Sequence, residues 1–203
     1  MATVIILFAK APVAGRVKTR LCPPLTPQEA ADIHLQFTTL MMKKLSSFEA
    51  VASIELHTDV DCDAWRAMGV TTRLQCEGNL GDRMFFALAG SQATGSLSMI
   101  AGSDAPALPV SYLREILDSP ADVTLGPTED GGYYAIACRA PVQAGMFDGV
   151  RWSTEHTLAD TVRAAEACGL RVAFGRTCWD VDSAADLERW RAVQDEDRKT
   201  SQA

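Results

Sequence analysis

Unbroken apolar runs alternate along the chain with stretches whose apolar residues recur at helical spacing. "TVIILFA" (Thr3–Ala9) is continuous and rich in β-branched residues, the pattern of a strand buried on both faces. "TPQE" (Thr26–Glu29) reads as a capping box with Pro27 at the first helical position. Behind it Ile33, Phe37, Leu40, Met41, Leu45 and Phe48 predict a long helix running to about Ser47. Val51–His57 predicts a second strand, "AWRAMG" a short helix closed by Gly69, and Val70–Gln75 a third strand.

Further along, Leu80–Gly90 predicts a helix with Gly90 as its C-cap, and Ser96–Gly102 another buried strand. "PVSYLREILDS" is a helix with Pro109 at or near its first position. "DVTLGP" and "YYAIAC" are strands flanking the loop "TEDGG". A helix from about Thr157 to Cys168, a strand at Leu170–Phe174 and a helix at Ala184–Val193 complete the pattern. Strands separated by helices predict a mostly parallel sheet covered on both faces, in one α/β domain over residues 1–193. The polar segment 194–203 is expected to be a disordered tail.

Composition narrows this little. At 203 residues with 47% hydrophobic and 22% charged positions, the chain suits one sizeable core. Its cysteines (Cys22, Cys62, Cys76, Cys138, Cys168, Cys178) form no Cys-x-x-Cys pair, so free thiols in a reducing compartment are expected rather than zinc or a disulfide scaffold. No basic leader precedes the opening apolar run, and that run is far shorter than the about 20 residues of a membrane span. A cytoplasmic protein without membrane attachment is therefore expected.

Charge changes the picture more. The formal net charge is −7, which argues against a nucleic-acid partner. Yet Lys10, Arg16, Lys18 and Arg20 crowd one loop, "FAKAPVAGRVKTRL", directly behind the first strand. Ligands of open α/β sheets bind beyond strand carboxyl ends, so these cations are aimed at a small anion unless the loop is merely a solvated basic one. A P-loop is excluded because Val17 precedes Lys18-Thr19, and a dinucleotide fingerprint because Gly15 is the loop's one glycine.

Three acidic segments offer partners for such chemistry. Asp104 ends a buried strand in "GSDAPALP", where a carboxylate is placed to hold Mg²⁺ or to shape a turn. "GPTEDGGYYAIA" carries Asp130-Gly131-Gly132, a hairpin-turn signal. In "WDVDSAADL", Asp182 is a second metal ligand or a cap, Asp180 competes for the ligand role, and Ser183 is a candidate N-cap.

In combination and order, "FAKAPVAGRVKTRL", "GNLGDRM", "GSDAPALP", "GPTEDGGYYAIA", "RWST" and "WDVDSAADL" resemble the DUF2064 family of glycosyltransferase-A-fold proteins, over roughly residues 3–190. That family is related to 2-phospholactate guanylyltransferase and the molybdenum cofactor guanylyltransferase. The resemblance implies the nucleotide-diphospho-sugar transferase fold: three α/β/α layers around a mixed sheet. It implies nucleotide contacts from Ala9, Lys10, Arg16, Lys18, Arg20, Arg83 and Ser103, and a Mg²⁺ or Mn²⁺ ion held by Asp104 and Asp182. The acceptor side would be formed by Asp130, Gly131, Gly132, Tyr133, Trp152 and Ser153.

Sugar transferases of this fold usually carry Asp-x-Asp at the metal strand, whereas Asp104 is followed by Ala105-Pro106. The favoured expectation is a nucleotidyltransferase in which a phosphorylated small molecule attacks a nucleoside triphosphate and pyrophosphate leaves. Lys10, Lys18, Arg20 and Asp104 would be its catalytic residues. A glycosyltransferase using a nucleotide sugar, and a non-catalytic nucleotide-binding regulator, remain the alternatives. The sequence carries no signal for an oligomeric state.

Overall fold

The structure is a computed structural model and describes residues 3–93 and 97–200. Its centre is a seven-stranded sheet in the order β3-β2-β1-β4-β6-β5-β7. The strands are β1 (Thr3–Phe8), β2 (Ala52–Thr58), β3 (Thr71–Leu74), β4 (Leu97–Gly102), β5 (Val123–Pro127), β6 (Tyr133–Cys138) and β7 (Val172–Phe174). All neighbours pair in parallel except β6, which runs antiparallel to both β4 and β5.

The continuous apolar runs are central strands, as a two-sided cover requires. In β1, Ile5 and Leu7 face one layer and Val4 and Ile6 the other. The first layer holds α1 (Pro27–Ser46), α2 (Asp63–Ala67) and α4 (Val110–Asp118), with Met41, Leu45, Trp65 and Leu113 in its core. The second holds α3 (Leu80–Gln92) and α5 (Thr157–Ala167), with Met84 and Leu88 packed beside Ile136. Each such fully buried side chain stabilises the fold by about 1.5–3 kcal/mol. A third cluster joins α1 to α6 (Ala184–Thr200) through Phe37, Val181, Leu187 and Trp190.

Local signals act as their chemistry demands. Thr26 accepts from the Glu29 amide and Glu29 accepts from the Thr26 amide, closing the capping box of α1. Asn79 and Asp82 do the same for α3, and Ser183 and Asp186 for α6. Pro109 is the N-cap of α4.

Some boundaries differ from the sequence reading. Gly90 is not a C-cap: α3 continues to Gln92, whose side chain donates to the carbonyls of Cys138 and Ala140 and holds the last turn down. Strand β7 begins at Val172 rather than Leu170, and α6 reaches Thr200 rather than Val193. Ser96, expected in β4, and residues 201–203 of the expected tail lie outside the described residues. All six cysteines are free thiols, and Cys138 and Cys178 are buried. Among the described residues no helix is long and apolar enough to cross a membrane.

Candidate nucleotide site

The register of the sheet sets the site. Phe8 at the end of β1 pairs with Gly102 at the end of β4, so the chains leave the sheet side by side into Ala9-Lys10 and Ser103-Asp104. The basic loop then turns back through a 3-10 turn, Thr19–Leu21, whose Leu21 is fully buried in the α1–α6 cluster. That anchor presses the loop onto the sheet end.

A third segment arrives from far along the chain. Cys178 pairs with Thr128 beside the end of β5, and the Val181 amide donates to the Asp104 carbonyl at 2.8 Å. Asp182 thereby lies next to Asp104.

These segments enclose a cleft of about 360 Å³. Ala9, Lys10, Arg16, Lys18 and Arg20 line it from the basic loop, and Ser103, Asp104, Asp182 and Arg83 from elsewhere. Every residue expected around a nucleotide is thus brought to one place.

Their pairing was not foreseen. Lys18 is not a free cation: its Nζ lies 2.7 Å from Asp104 Oδ1 and 2.9 Å from Asp182 Oδ1, and it donates to the Val181 carbonyl at 2.7 Å. Burial works against the Lys18 charge, but the two carboxylates outweigh it and hold the ammonium above its ordinary pKa. For Asp104 burial likewise opposes charge, and Lys18 outweighs it, so its pKa is lowered. Lys18 takes a left-handed backbone with φ 47° to reach this position, a conformation that costs a non-glycine residue energy.

Lys10, Arg16 and Arg20 are open to solvent, and Arg83 is half-buried. Arg16 lies 3.4 Å from Asp59, whose other carboxylate oxygen accepts from the Ala11 amide. Arg20 lies 3.7 Å from Asp182 Oδ2 and is 72% exposed. Arg83 donates to the Gly78 carbonyl.

The carboxylates suit a hard divalent cation. The inner oxygen of Asp104 is buried, while the side chain as a whole is 46% exposed, so its accessible part faces the cleft. Among the described residues no three His, Cys, Asp or Glu side chains cluster as a metal cage. Mg²⁺ typically takes one or two carboxylates and completes its shell from phosphate and water, which is what Asp104 and Asp182 offer.

A second pocket, of about 250 Å³, adjoins the first across Phe8 and Leu80. Asp130, Gly132, Tyr133, Trp152 and Ser153 of the expected acceptor side line it, together with Asp180. Gly131 does not line it but shapes it. Its φ is +87°, its carbonyl accepts from the Leu158 amide, and a Cβ there would collide with the Glu155 carbonyl oxygen. Arg151 of "RWST" stays out of the pocket and, with Arg163, covers the fully buried Asp160, which holds the loop against α5. Ser153, at the rim, has a left-handed φ of 60°.

Asp180 is pushed up to about 7 by burial, then by the nearby charges of Asp130, Asp182 and Asp104. Asp182 rather than Asp180 meets Asp104 across Lys18.

Sequence reasoning missed His34 and Gln75 in the cleft and Thr128 and Thr154 in the pocket. His34 bonds the Lys10 carbonyl through Nε2 at 2.8 Å, and burial pushes its pKa down. A lone histidine on a helix carries no sequence signal for such a role.

A mixed sheet of this order, with its cleft over the ends of β1 and β4, defines the nucleotide-diphospho-sugar transferase fold. The chain belongs to the DUF2064 family, described as an uncharacterized protein conserved in bacteria, whose profile matches residues 39–154. A candidate nucleotide-diphospho-sugar transferase from Desulfovibrio desulfuricans G20 is 28% identical, with a TM-score of 0.83 over 92% of this chain and 85% of that one. A CMP:2-keto-3-deoxy-manno-octonic acid synthetase complexed with CTP shares the fold at 14% identity and TM-score 0.65, over 97% and 100% of the two chains. Rv0371c from Mycobacterium tuberculosis H37Rv, in complex with manganese, does so at 17% identity and TM-score 0.53, over 93% and 96%. No curated protein matches.

Proposed function

We propose that the protein is a nucleotidyltransferase that binds a nucleoside triphosphate in the basic cleft and an acceptor in the adjoining pocket. The observation that carries this reading is the convergence of Lys10, Arg16, Lys18 and Arg20 with Asp104 and Asp182 at the ends of β1 and β4. The acceptor oxygen attacks the α-phosphorus in line and pyrophosphate leaves. No protein nucleophile is needed, because positioning and charge neutralisation supply most of such catalysis. The CTP-bound synthetase and the manganese-bound Rv0371c of the same fold support both the nucleotide and the cation.

Lys10 faces the α-phosphate and Arg20 the departing pyrophosphate, while Arg16 and Arg83 hold outer phosphate oxygens. Lys18 keeps the two carboxylates together and sets a positive charge at the base of the cleft. Asp104 and Asp182 would hold Mg²⁺ or Mn²⁺, which when bound neutralises phosphate oxygens.

Glycosyl transfer from a nucleotide sugar is the second reading. It is favoured by the second pocket, which has carboxylates but no lysine or arginine among its lining residues for a phosphorylated acceptor.

Calorimetry with the four ribonucleoside triphosphates tests the cleft. The Arg16→Ala, Arg20→Ala double variant should fold, since those side chains are 60% and 72% exposed. Each lost charged hydrogen bond costs about 1.5–3 kcal/mol, so affinity should fall at least about tenfold. Unchanged affinity rejects the phosphate site. Pyrophosphate released from a triphosphate selects nucleotidyl transfer; nucleoside diphosphate released from a nucleotide sugar selects the second reading.

A further inference from the structure

We infer that the second pocket takes an uncharged polyhydroxylated molecule, a sugar or cyclic polyol, and discriminates against its phosphorylated form. This rests on the proposed function for the role of the pocket, and departs from the phosphorylated acceptor that the sequence led one to expect.

The walls carry the argument. The floor is apolar, formed by Ile100, Ile136 and the small residues of β4 and β6. Trp152 and Tyr133 supply aromatic surface, against which the C–H face of a sugar ring packs. The polar rim consists of hydroxyls and two carboxylates, Asp130 and Asp180, and no lysine, arginine or histidine lines the pocket. Arg151, the nearest sequence candidate for a cation, is spent on Asp160, 2.7 Å away.

Asp130 is held in an accepting pose. Its Oδ1 takes the Thr128 hydroxyl at 2.6 Å and the Gly132 amide at 3.0 Å, and among the described residues Oδ2 takes no hydrogen bond. A carboxylate oxygen is an acceptor only, and ring hydroxyls are donors that satisfy it. A phosphate dianion in the same place brings acceptors to acceptors and negative charge to negative charge. It would lose water with nothing to replace it.

The cations stop at the wall shared through Phe8 and Leu80: the first cleft sets five of them beside Asp104 and Asp182, whereas the second pocket has the carboxylates Asp130 and Asp180 and no cation. A triphosphate is thereby held in one compartment and kept out of the next.

The test uses the full chain at pH 7.5 and saturation-transfer NMR. The probes are glucose, galactose, ribose and myo-inositol, each beside its phosphate monoester. At least one neutral member should bind tenfold or more tightly than its phosphorylated partner. Asp130→Asn should narrow that ratio at least threefold, since asparagine keeps Oδ1 for Thr128 and Gly132 while removing the charge. Asp130→Lys should invert it. Trp152→Ala should abolish neutral binding; as Trp152 also packs on Phe147, the Asp130 variants carry the result should it fail to fold.

A phosphorylated probe that binds as tightly as its neutral partner overturns the inference, as does failure of every neutral probe. Calorimetry with nucleotide is read separately. Nucleotide binding without neutral-sugar preference sinks this inference alone, and sugar preference without nucleotide binding sinks the proposed function alone.

Discussion

Replacing Lys18 by methionine tests how the basic loop and the acidic segments depend on one another. The ammonium lies within 2.9 Å of three oxygens, those of Asp104, Asp182 and the Val181 carbonyl, and the side chain is only 5% exposed. Methionine keeps the apolar stem beneath the site but leaves two carboxylates facing each other across an uncharged gap. Removing one partner of a buried ion pair costs about 3–5 kcal/mol. Asp104 and Asp182 are 46% and 40% exposed, so water reclaims part of that loss and about half, roughly 2 kcal/mol, should remain. For a chain of this size that is a fall in Tm of about 4–8 °C.

Urea denaturation and thermal melts measure it directly. Asp104→Asn in the Lys18→Met background should recover stability, because it removes the repulsion; the double-mutant cycle should show coupling of about 1 kcal/mol or more. Mg²⁺ should raise the Tm of Lys18→Met more than that of the wild type, since the cation and the ammonium compete for the same two carboxylates. A loss below about 0.5 kcal/mol, or additivity in the cycle, would refute the reasoning.

Two further outcomes follow from the structure. Gly131→Ala drives a Cβ into the Glu155 carbonyl at a φ of +87°, so it should cost about 1–3 kcal/mol in urea and weaken any ligand of the second pocket; wild-type stability would contradict that placement. His57 is buried against Phe8, and burial holds its pKa below the ordinary 6.5, although Glu55 pulls the other way. The unfolded chain then binds the proton first, so stability falls as pH drops through about 6.5, and His57→Phe should flatten ΔG between pH 7.5 and 5.5 by up to about 1.4 kcal/mol per pH unit. An unaltered slope would show that His57 does not titrate in this way.

What was legible in the sequence was whatever a short window encodes. The buried run of β1, the Thr26–Glu29 box and the Asp130-Gly-Gly turn each carry their signal within a few residues, and each forms the expected element. The gathering of the basic loop with Asp104 and Asp182 around one cleft was legible too, because charge at a strand end has few uses in an acidic chain. The place of β6 between β4 and β5 was not, since strand order is decided by pairing across the whole chain. Nor was the capture of Lys18 by Asp182, a contact spanning 164 positions. Gly90 misled because a glycine near a helix end signals a cap only when nothing beyond it is held, and Gln92 is held.

That span of 164 positions bears on how the protein is made. Synthesis is vectorial, at about 5–20 residues per second, and sheet elements near the start can begin to assemble while the rest is unborn. The cleft cannot. Its floor needs the segment that carries Asp182, and that segment is fastened by Trp190 of α6 packing edge-on against Phe37 of α1. A nascent chain from which α6 has not yet emerged therefore presents Lys18 without its second carboxylate, and the cleft is completed only as that helix packs.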